Sequence, residues 1–438
     1  MTTSSSTAHT APLSVGGAQQ SARAQRYIQL ALVVLAAGTI YPILYLRQIY
    51  GPTMQAFFGI NDVQLGMLYS TLGTVFVACY VPSGWLADRV APRILISFSL
   101  LMTGGLGFLY STAPAFPVLL VIFGCWGMST GLTFWSAVIK RVNSIAAPEE
   151  RGRFFGMLDG GRGLIEASLA TIAISFFAYF THTHSDAAGF RVVLLMYSTL
   201  CVTLGVVLAL IKDKRAEAAS RSAKRSSVIA DLKTLAGLPE LWMLAAVVFC
   251  GYQLFWSTYN FAAYLRVEAF GLGATVAGVI TTAKMWMRPI GGIGGGFLAD
   301  KFSRERVLAG VLVCGAIAVF GLVMVPAGAP RFVLIGLVLF IGLMAYAVRG
   351  LYWSLLGKCG VPEHCMGLAI GLVSMIGYSP DMVLPLFSGY VTQNYPGATG
   401  YRIFYSYIVF IALCGAFMAL MLHRRLNRNE RRTLKDAS

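Results

Sequence analysis

The sequence predicts an all-α polytopic membrane protein in which twelve transmembrane helices form two pseudo-symmetric six-helix bundles. Composition is the first reason: 57% of the 438 residues are hydrophobic and only 12% are charged, with a mean hydropathy of +0.70. Soluble domains carry about 25% charged residues. The second reason is that runs of roughly 20 apolar residues, enough to cross a bilayer, recur along the chain. The third is a charged loop that occurs twice.

The repeated loop divides the chain into two halves. Its first copy, Gly84–Arg93, reads GWLADRVAPR, and its second copy, Gly296–Arg304, reads GFLADKFSR. Asp88 and Asp300 occupy equivalent positions, 300 − 88 = 212 residues apart. Two further pairs of short segments repeat at 353 − 135 = 218 and 371 − 156 = 215 residues, centred on Trp135 and Trp353 and on Gly156 and Gly371. These repeats predict two homologous bundles.

Twelve apolar runs are the predicted spans, numbered here in chain order. Spans 1 to 6 cover roughly 27–50, 62–83, 94–111, 116–139, 154–181 and 190–211, and span 1 has Phe58 as an alternative end. Spans 7 to 12 cover roughly 241–265, 274–295, 307–326, 331–357, 364–391 and 401–423. The bundles are therefore expected at 27–211 and 241–423. Residues 1–26 are expected to be a disordered cytoplasmic tail, 212–240 a basic linker and 424–438 a basic tail.

Lys and Arg residues are concentrated in the loops on one side of the predicted membrane. The positive-inside rule makes that side cytoplasmic and places both termini there. The net charge of +16 thus reflects a membrane surface, not nucleic-acid binding. The linker's basic residues either bind anionic lipid headgroups or form a solvated tether. The sequence contains no nucleotide loop, nucleophile triad or metal cluster, so we expect no enzyme activity and no cofactor, and a monomer as the working unit.

Charged residues within the spans are the candidate site residues, because a charge near the bilayer centre costs roughly 2.5–3.5 kcal/mol on insertion scales. Lys284 and Arg288 are four residues apart and so share one helix face. If all the buried charges face one cavity, five cations and three acids leave a net charge of +2, which an anion would balance. The candidates are Arg47, Arg162, Lys284, Arg288, Arg349, Asp159, Glu166 and Asp381, with Tyr352 as a residue that could stack on a substrate.

Two of the acids are related by the internal repeat, since 166 + 215 = 381. Glu166 and Asp381 are therefore candidates for carrying a coupling proton, because burial and neighbouring cations shift the protonation of a carboxyl group. The alternative is that each is paired with an arginine. Asp159, Arg162 and Glu166 share a helix face, so they also fit an internal structural ion pair.

The repeated loop and the six-plus-six arrangement resemble the major facilitator superfamily, and the resemblance covers nearly the whole chain. Three stretches, 131–140, 151–166 and 349–381, resemble a bacterial inner-membrane subgroup similar to the organophosphate:phosphate antiporters and the anion:cation symporters. The resemblance implies alternating access and an organic anion as cargo. In the antiporters, arginines on spans 1 and 7 clamp phosphate. Arg47 fits the first, whereas span 7 offers Gln253 and Trp256 and has Arg266 only near its outer end.

The resemblance also implies a role for the repeated loop. Asp88 is expected to latch the two bundles on the cytoplasmic side, in a charge network that includes Arg93 and a helix end in the other half. Gly84, Arg89 and Asp300 complete the predicted gate.

The function predicted from these observations is uptake or exchange of a small organic anion, such as a sugar phosphate, a carboxylate or a sulfonate, with the proton as a candidate coupling ion. One alternative is a drug:proton antiporter of the same fold, which would favour an acidic cavity. The other is a sensor that binds an organic anion without transporting it.

Overall fold

A computed structural model of the chain describes residues 13–146, 150–211, 228–267, 270–326, 328–362 and 365–436. Within these ranges the secondary structure is helical throughout, and the twelve predicted spans are present. The first six spans are α1 (Leu13–Leu44) with α2 (Arg47–Phe58), α3 (Asp62–Arg89), α4 (Pro92–Ser111), α5 (Phe116–Gly131) with α6 (Trp135–Ile145), α7 (Arg151–Thr183) and α8 (Asp186–Leu210).

The second half repeats this order after a short linker helix, α9 (Val228–Ala236). Spans 7 to 12 are α10 (Pro239–Ser257) with α11 (Phe261–Leu265), α12 (Ala274–Met285) with α13 (Met287–Lys301), α14 (Arg304–Met324), α15 (Arg331–Tyr352), α16 (Met366–Gly377) with α17 (Pro380–Asn394), and α18 (Ala398–Asp436). Short 3₁₀ segments, Thr258–Asn260 and Trp353–Lys358, lie within span 7 and at the end of span 10. Spans 3 and 6 pack together, and spans 9 and 12 repeat that pairing in the other half.

Two boundaries differ from the prediction. The helix of span 1 begins at Leu13, so the expectation of disorder up to residue 26 is wrong for residues 13–26, while residues 1–12 lie outside the described part. Extending an existing helix costs far less than starting one, which lets a polar segment continue the apolar span. Span 12 likewise continues as α18 to Asp436, well beyond the predicted end at residue 423.

Eleven of the described spans are long and apolar enough to cross a membrane. Span 8 is divided at Trp286 into helices of 12 and 15 residues, each too short to cross on its own. Pro289 explains the division, because its ring clashes with the carbonyl four residues earlier, that of Met285. Span 11 is divided in the same way at Tyr378–Ser379, just before Pro380.

Spans 1 and 7 break at equivalent positions of the two halves. Span 1 passes through a turn at Tyr45–Leu46, between α1 and α2, and span 7 becomes a 3₁₀ helix at Thr258–Asn260. The offset, 258 − 45 = 213 residues, matches the register of the sequence repeats. Each break turns a membrane helix into two shorter ones and brings irregular backbone to the middle of the protein.

The two halves pack tightly at one end, which we call the distal side. It carries the connection between spans 1 and 2, whereas the linker side carries residues 211–239. Val63 donates its backbone N–H to Gln393 Oε1 (3.1 Å), and the Arg266 guanidinium donates to Thr53 Oγ1 (3.3 Å). Trp286 Nε1 donates to Thr171 Oγ1 (3.1 Å). Spans 1 and 2 thus contact spans 7 and 11 and seal the distal side, whereas the contact between spans 5 and 8 lies nearer the middle of the membrane span.

Candidate functional site

Arg47 is a buried cation that bridges the two halves. It is the first residue of α2 and is only 7% exposed. Its Nη2 donates to Asn260 Oδ1 (2.8 Å) on span 7 and to Ser388 Oγ (2.7 Å) on α17. The guanidinium carbon lies 5.2 Å from the ring centroid of Trp256, a favourable cation–π distance. All these partners are uncharged, so none of these contacts neutralises Arg47.

Lys284 is a second buried cation in the same region. It lies near the end of α12 and is completely buried. Its Nζ donates to Thr258 Oγ1 (3.0 Å), and Gln48 Oε1 lies at 3.5 Å. Gln48 follows Arg47 in α2. In the described ranges, no carboxylate oxygen lies within 4.0 Å, the limit for a salt bridge, of a side-chain nitrogen of Arg47 or Lys284.

Two donors beside these cations have no acceptor in the described part of the chain. They are Nη1 of Arg47 and Nδ2 of Asn260, both buried. A buried donor without a partner costs about 1–3 kcal/mol, and more when it is charged. The pair of donors is therefore suited to a ligand that supplies oxygen acceptors and negative charge. We call Arg47, Gln48, Thr258, Asn260, Lys284 and Ser388 the cationic cluster.

The cationic cluster lies near the middle of the membrane span. Arg47 precedes the distal end of α2 at Phe58 by 11 residues, or about 16 Å at 1.5 Å per residue. Lys284 follows the distal start of α12 at Ala274 by 10 residues, or about 15 Å. Span 1 therefore continues to Phe58 through a break, and Arg47 does not lie at the outer surface. Discontinuous helices near the bilayer midplane commonly form the binding sites of transporters.

Arg162 and Arg288 belong to an ion-pair network that joins spans 5 and 8. Arg162 Nε lies 2.8 Å from Glu166 Oε1, and Arg288 Nη1 donates to Glu166 Oε2. Arg288 Nη2 lies 3.1 Å from Asp159 Oδ1. Two cations and two acids neutralise one another in this network, so Arg162 and Arg288 are not free cations. The predicted ion pair within span 5 is present, and Arg288 from the other half joins it.

Asp381 has a different environment from Glu166, although the two occupy equivalent places. Each lies 15 residues after the first helix of its span begins, because 166 − 151 = 15 and 381 − 366 = 15. Asp381 is 7% exposed, and both of its carboxylate oxygens lie 2.9 Å from the Tyr252 hydroxyl, which donates to them. Among the described residues no Lys, Arg or His nitrogen forms a salt bridge with Asp381. The expectation that each acid pairs with an arginine holds only for Glu166.

Arg349 and Tyr352 lie on the inner part of span 10. The Arg349 guanidinium carbon is 4.4 Å from the Phe255 ring centroid, and no acid forms a salt bridge with it in the described ranges. Tyr352 is completely buried, with its hydroxyl 3.2 Å from that of Tyr378. Tyr352 therefore contacts a neighbouring ring in this conformation, and substrate contact through it stays a prediction that requires Tyr378 to move.

The predicted gate residues lie at the linker side. Arg93 Nη1 donates to the carbonyl oxygen of Ile211 (2.7 Å), at the end of span 6. That helix end belongs to the same half as Arg93, so this contact does not join the two halves, and the role of Arg93 in the latch stays a prediction. Gly84 and Arg89 lie in the last two turns of α3. The side chains of Asp88 and Asp300 lie outside the described part of the structure.

Sequence reasoning missed the neutral members of the site. They are polar residues inside apolar spans, and they carry no charge that would mark them as unusual there. Their one sequence signal is position: Thr258 and Asn260 stand in the apolar run of span 7 at the point equivalent to Arg47 in the repeat. The residues missed are Gln48, Tyr252, Thr258, Asn260 and Ser388.

Twelve spans in two repeated halves, broken around buried polar residues at mid-membrane, define the class of secondary membrane transporters. Comparison with known proteins identifies the family: the model of the Major Facilitator Superfamily matches residues 27–385, and the chain belongs to that family. The inner membrane protein YqcE of Escherichia coli (strain K12) is 28% identical to this chain, and the match covers 86% of this chain and 90% of the length of YqcE.

Two further comparisons agree with this family. The probable galactarate/D-glucarate transporter GudP of Bacillus subtilis (strain 168) is 21% identical over 86% of this chain and 88% of its own. A crystal structure of a bacterial homolog of the human lysosomal transporter Spinster superposes with a TM-score of 0.70 at 14% identity, and it covers 92% of this chain and 97% of its own. The fold predicted from the sequence is confirmed.

Proposed function

We propose that this protein is a secondary active transporter that moves a small organic anion across the bacterial inner membrane by alternating access. The observation that supports the anion is the cationic cluster, in which Arg47 and Lys284 are buried without an acid and donors stay unsatisfied. We also propose that the linker side is cytoplasmic, because its loops hold most of the Lys and Arg residues.

The charges support an anionic cargo. With Arg162 and Arg288 neutralised in the ion-pair network, the unpaired charges are those of Arg47, Lys284 and Arg349 against Asp381, or 3 − 1 = +2. A guanidinium group binds carboxylate, phosphate or sulfonate through two hydrogen bonds. The relative GudP is named a probable galactarate/D-glucarate transporter, so the transported class in that protein is a sugar acid.

The alternatives fit less well. An exporter of apolar cations would need acidic residues where this protein has cations. A sensor of organic anions would use the same cluster, so structure does not separate it from a carrier, but flux does. Uptake of an anion by proteoliposomes that contain the purified protein would exclude the sensor.

The first test is a thermal-stability screen of the purified protein with inorganic phosphate, sugar phosphates, sugar acids and sulfonated sugars. At least one of these anions should raise the melting temperature, because a ligand that binds only the folded state stabilises it by RT ln(1 + [L]/Kd). The corresponding uncharged sugars are the controls. A protein stabilised by none of the anions, or equally by the uncharged sugars, would contradict the proposal.

The second part of the proposal is that a proton is the coupling ion and that Asp381 carries it. Glu166 is neutralised by two arginines, whereas the side-chain donors to Asp381 among the described residues, Tyr252 and Trp256, are both uncharged. Asp381→Asn should abolish uptake driven by a pH gradient while leaving exchange across equal pH. Asp159→Asn, in the ion-pair network between spans 5 and 8, is the control and should retain pH-driven uptake. A fully active Asp381→Asn protein would remove Asp381 from the coupling.

A further inference from the structure

We infer that Asp381 is a proton-operated latch for the distal side, which closes when Asp381 is protonated and α17 packs against span 2. The inference extends the assignment of the coupling proton made above, but it does not depend on the anion. It begins from α17, a helix of 15 residues bounded by the break at Tyr378–Ser379 and by the end of the helix at Asn394. Asp381 is the one Asp, Glu, Lys, Arg or His in it.

Glycines lie at the interface between α17 and span 2, which we call the seam. An added Cβ atom at Gly73 would approach the backbone and Cβ of Asp381 more closely than 3.0 Å, and these are its three nearest atoms. Gly66 lies in the same way against the carbonyl oxygen of Pro385, and Gly389 against that of Asp62. Backbones that approach this closely leave no space for a side chain or for water. Closure of the distal side therefore packs span 2 directly onto the residue that holds the carboxyl group.

The same closure removes Asp381 from water without providing a cation. Transfer of a charged carboxylate away from water is costly unless a cation or several donors compensate it, whereas a neutral carboxyl avoids most of that cost. The Tyr252 hydroxyl and the first turn of α17 offset part of the cost. The ionised form of Asp381 is consequently less compatible with the closed seam than the protonated form.

The groups around Asp381 come from every element that packs on it, and five of the six are tyrosines. Only Arg349, on span 10, is charged, and it forms no salt bridge with Asp381. The ionisable neighbours within electrostatic range are Tyr45 on span 1, Tyr80 on span 2, Tyr252 and Tyr259 on span 7, Tyr378 on span 11, and Arg349. Among these groups, protonation of Asp381 is therefore the event that most changes the net charge at the seam.

The test measures the separation of the two halves at the distal side. Spin labels are attached at His182→Cys, at the distal end of span 5, and at Arg331→Cys, at the distal start of span 10. Both positions are exposed. Cys125, Cys314 and Cys414, the described cysteines that are not buried, are first replaced by alanine. Distances are measured by double electron–electron resonance in nanodiscs from about pH 5 to about pH 9, without added substrate.

The wild-type pair should show a short, narrow distance at acid pH and a growing population of longer distances as the pH rises. Asp381→Asn, which mimics the protonated carboxyl, should hold the short distance at every pH. Asp159→Asn makes the same chemical change on a side chain that is 72% exposed. Its distances should still lengthen as the pH rises, although loss of the ion pair with Arg288 shifts them at every pH. Wild-type distances that do not respond to pH, or a response that persists in Asp381→Asn, would overturn the inference.

Gly73→Ala is a second variant that tests the seam by itself. It should favour the long distance at every pH, since its Cβ atom has no space against Asp381, although alanine stabilises a helix better than glycine does. Gly105→Ala is the matched control, because an added Cβ there meets no atom within 4 Å. Short distances in Gly73→Ala equal to those of wild type would contradict the proposed seam. Anion-induced stabilisation is independent of these outcomes, so failure of the latch and failure of the transport proposal are distinguishable.

Discussion

Arg47→Ala is expected to weaken binding of the transported anion by roughly 30- to 1,000-fold, the largest effect on affinity of any single substitution in the protein. Loss of a hydrogen-bonded, desolvated charge costs about 2–4 kcal/mol, and each 1.4 kcal/mol is a factor of ten in affinity. Arg47 is 7% exposed and has no acid to replace the anion as its partner. Binding is measured by isothermal titration with the anion that the stability screen identifies.

Two further variants separate the charge of Arg47 from its role as a bridge between the halves. Arg47→Lys keeps the charge but loses the planar pair of donors, so its affinity should fall between those of wild type and Arg47→Ala. Ser388→Ala removes one inter-half contact of Arg47 and leaves the charge. If Arg47 only holds the halves together, Ser388→Ala and Arg47→Ala should weaken binding equally, and that result would contradict an anion site.

Arg191 provides the control for a loss of charge elsewhere. It lies at the distal end of span 6, where its Nε donates to the carbonyl oxygen of Ser111 (3.2 Å) and its guanidinium carbon is 5.6 Å from the Phe57 ring centroid. Neither contact is with a residue of the cationic cluster. Arg191→Ala should leave the affinity for the anion unchanged. An equal loss in Arg191→Ala and Arg47→Ala would indicate a general effect of net charge, not a binding site at Arg47.

The fold could be predicted because its signals are local in the sequence. Span length, loop charge and the repeat from Asp88 to Asp300 each reflect one segment at a time, and the membrane restricts the possible architectures to helices or closed barrels. The start of span 1 was missed because the polar residues from Leu13 onward extend a helix without any apolar signal of their own.

The partners of the buried charges could not be predicted, because they depend on how each helix is rotated about its axis. Arg288 and Glu166 are 122 residues apart, and nothing in either segment indicates that they meet. Lys284 shares a helix face with Arg288 in an unbroken helix, but the break at Trp286 lets the two side chains reach different partners, Thr258 and Glu166. Pro289 explains the break, but the direction of each piece follows from tertiary packing.

Glu166→Gln is expected to be the most destabilising replacement of a charged residue by a neutral one in the protein, by about 3–5 kcal/mol, because it leaves the buried Arg162 without its acid and leaves Arg288 paired only with the exposed Asp159. Arg162, Glu166 and Arg288 are 11%, 12% and 12% exposed at their side chains. Asp159, the other acid, is 72% exposed and contacts only Arg288 among the described ion pairs. Stability is measured as the apparent melting temperature of the purified protein in detergent.

The double variant Glu166→Gln/Arg288→Gln tests whether the effects of Glu166 and Arg288 on stability are coupled. It leaves Arg162 without its acid but removes Arg288, the second arginine that Glu166 pairs with, so part of the lost stability should return. Asp159→Asn alone should cost less than about 1 kcal/mol, as exposed ion pairs do. If the double variant loses the sum of the two single effects, the residues are not coupled, and Arg288 would again count as a free cation beside the cationic cluster. Recovery would instead make Arg288 a structural tie between spans 5 and 8, and it would leave Arg47 and Lys284 as the pair that recognises the anion.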